Sequence, residues 1–181
     1  MYPQPFLAMA KAHADASVLE VAARGDSFSS PVQAWLPTPD TTAFIRQGDL
    51  IAWSMNQSVE TRLGGVIVIP EYWARMSVTL EWAPATTAAG DIMFRLQLAQ
   101  HDVGEQIGAT AAFANATVAN AAATTYEMAR TVLFADLDLA ASGMTKDGAA
   151  TLFTLWRRGD QEGDTYGATV LPVRIIFART A

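Results

Sequence analysis

From about Gly48 onward, apolar positions alternate with polar ones, the period of an extended strand that buries one face. In Ala74–Trp82, ARMSVTLEW, Met76, Val78, Leu80 and Trp82 fall on one side, with Ser77, Thr79 and Glu81 on the other. Asp91–Gln100, DIMFRLQLAQ, repeats the pattern with Ile92, Phe94, Leu96 and Leu98 inward and Arg95 and Gln97 outward. A loop of small residues, Ala83–Asp91, joins the two. Gly64–Pro70 is a β-branched run bounded by Gly and Pro. Further strands are predicted over Thr124–Phe134, Ala150–Arg157 and Val170–Ala178. In the last of these, Leu171, Val173, Ile175 and Phe177 form the inward set, and Pro172 predicts a bulge or a sheet edge. Gly104–Ala123, rich in Ala, Asn and Thr, carries no clear period and reads as a loop crossing between sheets. Short strands at close spacing, each with one buried face, predict an antiparallel two-sheet β-sandwich, jelly-roll-like, over residues 48–181.

Residues 1–47 have a different texture. Pro5–Gly25 is Ala-rich, lacks a β-branched run and ends on a glycine suited to a helix stop. Pro31, Pro37 and Pro39 then demand extended or turning backbone. The expectation is an extended, partly helical N-terminal arm that wraps over its own domain or over a neighbouring subunit.

Composition narrows the classes of function. The chain has 181 residues, which suits one domain plus an arm, and 51% of them are hydrophobic, enough for a core without disulfides. Cysteine is absent, so no thiolate metal site is possible. A formal net charge of −6, with Lys11 and Lys146 as the lysines, argues against a nucleic-acid partner. No apolar run approaches the roughly 20 residues of a membrane helix, and the first residues lack a basic leader before an apolar block. No nucleic acid and no membrane partner are expected.

Chemistry-bearing motifs are sparse. His13 and His101 stand without cysteine partners, and neither a nucleophile elbow, a His-Glu-x-x-His helix nor a phosphate-binding glycine loop occurs. Asp160, Glu162 and Asp164 alternate beside Gly163, a spacing that could converge on calcium, but the register lacks the glycine and glutamate of an EF-hand loop. The plainer reading is an acidic turn between strands; Asp136 and Asp138 receive the same reading, and no metal or cofactor is expected. Trp82 and Trp156 fall in phase with inward residues, whereas Trp35, Trp53 and Trp73 lie nearer loops and are the better candidates for exposed contacts. Arg-Gly-Asp occurs at Arg24–Asp26 and Arg158–Asp160, but a helix stop and a turn each account for it locally.

The pattern of Gly65–Ala178 resembles a group of structural proteins from tailed bacteriophages. The residues that carry the resemblance are Pro70, Trp73, Trp82, Gly90, Asp91, Leu96, Gln97, Trp156, Arg157, Asp164, Thr165, Val173, Arg174, Ile175 and Phe177. The resemblance implies a β-sandwich or jelly-roll unit in a virion, assembled in the host cytoplasm, and lacks any catalytic motif. Under it, the chain is expected to be a capsid decoration or cement protein. It would bind the major capsid protein and itself as a homotrimer, with Tyr2, Phe6, Leu7, Trp35, Leu36 and Phe44 of the arm as contact residues. The alternative is a tail-fibre or adaptor module that binds host surface glycan or another tail protein. An enzyme such as a depolymerase ranks last.

Overall fold

The computed structural model describes residues 26–31, 35–37, 44–47, 50–101, 112–144 and 150–180. These residues form eleven strands. They are β1 (Ser27–Pro31), β2 (Leu36–Pro37), β3 (Phe44–Gln47), β4 (Leu50–Trp53), β5 (Glu60–Val68), β6 (Arg75–Pro84), β7 (Ala88–His101), β8 (Ala112–Ala123), β9 (Ala129–Asp138), β10 (Ala150–Arg158) and β11 (Val170–Arg179). One sheet runs β1-β11-β6-β9 and a second runs β2-β5-β10-β7-β8, all antiparallel, with β3 and β4 a separate hairpin. The two sheets bury one face each against the other, so the all-β sandwich expected from the alternation is the architecture found.

The alternation translates directly into burial. Met76, Val78 and Leu80 of β6 are wholly buried, as are Ile92, Leu96 and Leu98 of β7. Aromatic rings join the sheets. Phe177 of the first sheet lies 6.1 Å from Phe153 of the second, and Trp82 lies 6.1 Å from Phe94. Gly65 makes room for Phe153, because a Cβ there would sit 2.7 Å from the ring.

Several expectations change. Ser27–Pro31, within the span read as an arm, pairs with β11, and Leu36–Pro37 pairs with β5. Phe28 stacks on Phe177 at 5.0 Å and meets Trp73 at 5.6 Å, so this stretch belongs to the sandwich core. The partly helical arm falls on residues before 26 and lies outside the described residues. Gly104–Ala123, read as a crossing loop, contains β8. Backbone pairing with β7 builds this strand, at the sheet edge where side-chain periodicity is least required. Thr124–Met128, read as the start of a strand, is turn. Tyr126 has φ 61° there, and the Glu127 carboxylate accepts from the Thr124 amide at 3.0 Å and from its hydroxyl at 2.7 Å. The bulge predicted by Pro172 is present between Pro172 and Arg174, and it leaves Val173 only half-buried.

Trp156 is the least expected placement. It is buried, but on the outer face of its sheet, opposite Arg62 and Arg95 in register, with the Arg62 guanidinium 5.5 Å from its ring centre. Its neighbour Arg157 points into the interior instead, at 0% exposure.

Candidate functional site

A groove of about 380 Å³ lies at one end of the sandwich, in the size range of small-molecule sites. Three segments build it: the β5–β6 connection (Ile69, Pro70, Glu71, Trp73, Ala74) with Arg75, the end of β7 (Gln100), and the last residue of β9 with the segment after it (Asp138, Leu139, Ala140, Met144). The β5–β6 connection turns at Pro70, whose carbonyl accepts from the Trp73 amide at 3.0 Å. That turn drives the Trp73 ring inward against Phe28 and leaves Tyr72 outward at 54% exposure, with Arg179 5.6 Å from its ring centre. The indole is 4% exposed, so Trp73 serves as floor.

Opposite, the chain after β9 folds back on Asp138. Its side chain accepts from the Ala141 amide at 2.9 Å, and its carbonyl accepts from the Ser142 hydroxyl at 2.7 Å. Leu139 and Met144 turn into the core, and the Leu139 amide donates to the Ala74 carbonyl at 3.1 Å, which ties the two walls together.

Arg75 organises the polar side. Its Nε and Nη2 donate to Asp136 at 2.9 and 2.7 Å, and its Nη1 donates to Asp138 at 3.1 Å. This fork against two carboxylates is the geometry that guanidinium favours. Thr180 adds a hydroxyl donor to Asp136 at 2.7 Å. The Arg75 hydrogen bond, then that of Thr180, holds the Asp136 carboxyl down to about 2, and the same pairing raises Arg75. Both groups are charged throughout the physiological range. The groove therefore offers planar hydrogen-bonding side chains, and the connection that lines it also carries an exposed aromatic, Tyr72.

The residues singled out from sequence go elsewhere. Asp164 is buried and paired to Arg157 at 2.8 Å, while Asp160 and Glu162 are exposed on the β10–β11 turn, at the opposite end from the groove. Among the described residues, no group of three or more His, Asp or Glu side chains could hold a metal ion. Trp35, expected nearer the surface, is 1% exposed, donates to the Ser30 hydroxyl at 2.9 Å and meets Phe153 edge-on. Trp73 is likewise buried, because strand β1 covers it. Leu36 pairs with Gly64 and Phe44 with Trp53 in register; Tyr2, Phe6 and Leu7 lie outside the described residues. Asp138, which the sequence offered only as part of an acidic turn, lines the groove. Glu71, Arg75 and Gln100 had no signal, since their neighbourhood is assembled from strands far apart in the chain.

No family model matches the chain, and no curated protein matches it. Solved structures do. The CBM36-1 domain of a multidomain xylanase from the hindgut metagenome of Trinervitermes trinervoides aligns over 86% of this chain and 99% of its own, at 9% identity and a TM-score of 0.49. The insecticidal crystal protein CRY2AA aligns over 85% of this chain and 21% of its own, at 10% identity and a TM-score of 0.50. The module CsCBM6-3 from Clostridium stercorarium, in complex with cellobiose, aligns over 84% and 93%, at 9% identity and a TM-score of 0.46. At such identities the likeness is one of fold, a two-sheet sandwich. The expected role as a capsid decoration protein bound to a major capsid protein is withdrawn: the three structures named are two carbohydrate-binding modules and an insecticidal crystal protein, and the phage resemblance and the trimer gain no support.

Proposed function

We propose that this chain is a non-catalytic glycan-binding module whose sugar site is the groove between the β5–β6 connection and the segment after β9. The observation that carries the reading is the pairing of Asp138 and Gln100 on the groove wall with an exposed aromatic, Tyr72, on the same β5–β6 connection that lines the groove. A pyranose presents an apolar C–H face that packs on a ring, and equatorial hydroxyls that bond best to planar amide and carboxylate groups. Binding rather than turnover is favoured by the state of the acids. Asp136, held down to about 2 foremost by its hydrogen bond from Arg75, is deprotonated near neutral pH and has no proton to give as a general acid. One of the similar sandwiches is a complex with cellobiose, but that bears on its own site; the reading here rests on the groove.

Affinity electrophoresis and titration calorimetry against a panel of soluble polysaccharides test the reading. At least one polymer should retard the protein saturably. Tyr72→Ala, at an exposed position, should weaken that binding about ten-fold, equivalent to ~1.4 kcal/mol, with an unchanged melting temperature. A wild-type chain that binds none of the panel, or a Tyr72→Ala variant with full affinity, would overturn it.

A further inference from the structure

The charge of the groove narrows the sugar. Arg75 is the cation that lines it, and three of its five donors are engaged by Asp136 and Asp138. Arg179 packs on Tyr72 and lies 3.7 Å from Asp26. Glu71 is different. It is exposed on the groove wall, and no cation among the described residues pairs with it. The groove lining thus holds two carboxylates, Glu71 and Asp138, and one guanidinium that is already paired to Asp136 and Asp138, in a chain that is itself net acidic.

We infer that Glu71 sets the charge preference of the groove, so that an amine-bearing sugar binds more tightly than its neutral counterpart and an acidic sugar binds least. This rests on the glycan-binding reading. A protonated amine placed on the wall supplies the counter-charge that Glu71 lacks, whereas a uronic acid carboxylate meets Glu71 and Asp138 beside an arginine whose charge is already balanced by two carboxylates. The attraction is that of an exposed ion pair, modest and sensitive to salt.

The experiment compares β-1,4-linked oligosaccharides matched in length: glucosamine, glucose and mannuronic acid series, each titrated calorimetrically at low and at high salt. The expected order at low salt is amine, neutral, acid, with steps of about two- to five-fold that shrink at high salt. Glu71→Gln should collapse the amine advantage, and Glu71→Lys should reverse the order. Asp160→Asn, which removes an exposed acid at the opposite end, should leave the order intact and so separates the groove from general attraction to an acidic protein. Equal or tighter binding of the acidic series by the wild type overturns the inference while leaving a glycan-binding module. So does an amine preference that persists in Glu71→Gln or vanishes in Asp160→Asn. Failure to bind any of the three series, together with the polysaccharide panel, removes the glycan reading itself.

Discussion

Arg157 has no exposed surface, and its donors all find acceptors. Nε and Nη2 reach the two oxygens of Asp164 at 3.1 and 2.8 Å, and the remaining bonds go to the carbonyls of Met55, Tyr166 and Ala168 at 3.2, 2.7 and 2.5 Å. A desolvated guanidinium is tolerable only with this degree of satisfaction. The residue thereby pins the β10–β11 connection to β10 and to the segment after β4. The same connection is gripped from β7, where the Asp91 carbonyl accepts from the Thr165 and Tyr166 amides, both at 2.9 Å. Gly90, at φ 138°, allows that approach, since a Cβ would lie 2.6 Å from the Thr165 carbonyl oxygen. Replacing Arg157 with methionine strands the Asp164 carboxylate in the interior. We expect a loss of about 3–5 kcal/mol in urea denaturation. Arg157→Met combined with Asp164→Asn should be less damaging than Arg157→Met alone. A single variant within ~1 kcal/mol of wild type would show that the ion pair is not what holds the loop.

Strand β6 is stitched to both neighbours through one carboxylate. Glu81, on its outer face and nearly buried, accepts from Arg130 of β9 at 2.7 Å and from Arg174 of β11. The Arg174 bond foremost, with that of Arg130, lowers the Glu81 carboxyl. Asp136 of β9, bound to Arg75 of β6, is lowered to about 2. A carboxyl whose folded value lies below its unfolded one stabilises the fold above the unfolded value, and that stabilisation drains away as pH falls toward the folded value. Stability followed by chemical denaturation should therefore be level above about pH 5 and decline below about pH 4. Glu81→Gln and Asp136→Asn should each flatten that decline while leaving β-sheet circular dichroism intact; an unchanged acid slope in both variants would show that other acids govern it. The strands themselves differ in how openly the chain announces them. β6 and β7 alternate residue by residue and were legible in advance. β8 was not, because an edge strand of Ala, Asn and Thr takes its register from hydrogen bonds to β7, which no local pattern records.

At the scale of the molecule, β1 and Trp35 close the sandwich. β1 carries Phe28 onto Phe177 and Trp73, and Trp35 fills the space beside Phe153 with its indole N–H bonded to Ser30. Losing Phe28 alone should cost roughly 3–5 kcal/mol, against a typical domain stability of about 5–15 kcal/mol. A chain that starts at Asp40 also loses Trp35 and β2. We expect it to lack a cooperative thermal transition by circular dichroism; a transition at the wild-type temperature would show that β1 and β2 are dispensable. Because Trp73 floors the groove and rests on Phe28, the same truncation should abolish any glycan binding even where some sheet structure survives.

Side-chain alternation by itself determined that the chain is a sandwich of antiparallel strands, which residues of β6 and β7 face inward, and that Pro172 marks a break in β11. These are properties of a single extended segment, written in its two-residue period. Only the tertiary structure decided that Trp156 faces out and Arg157 in, because the acceptors that make a buried arginine tolerable arrive from Met55, Asp164, Tyr166 and Ala168. The groove is of the same kind. Arg75 meets its aspartates 61 and 63 positions away, and Gln100 enters from the other sheet, so the site exists only after both sheets have closed. A fold pattern can be shared by proteins of different function, since burial fixes the inward residues and leaves the loops that carry function unconstrained.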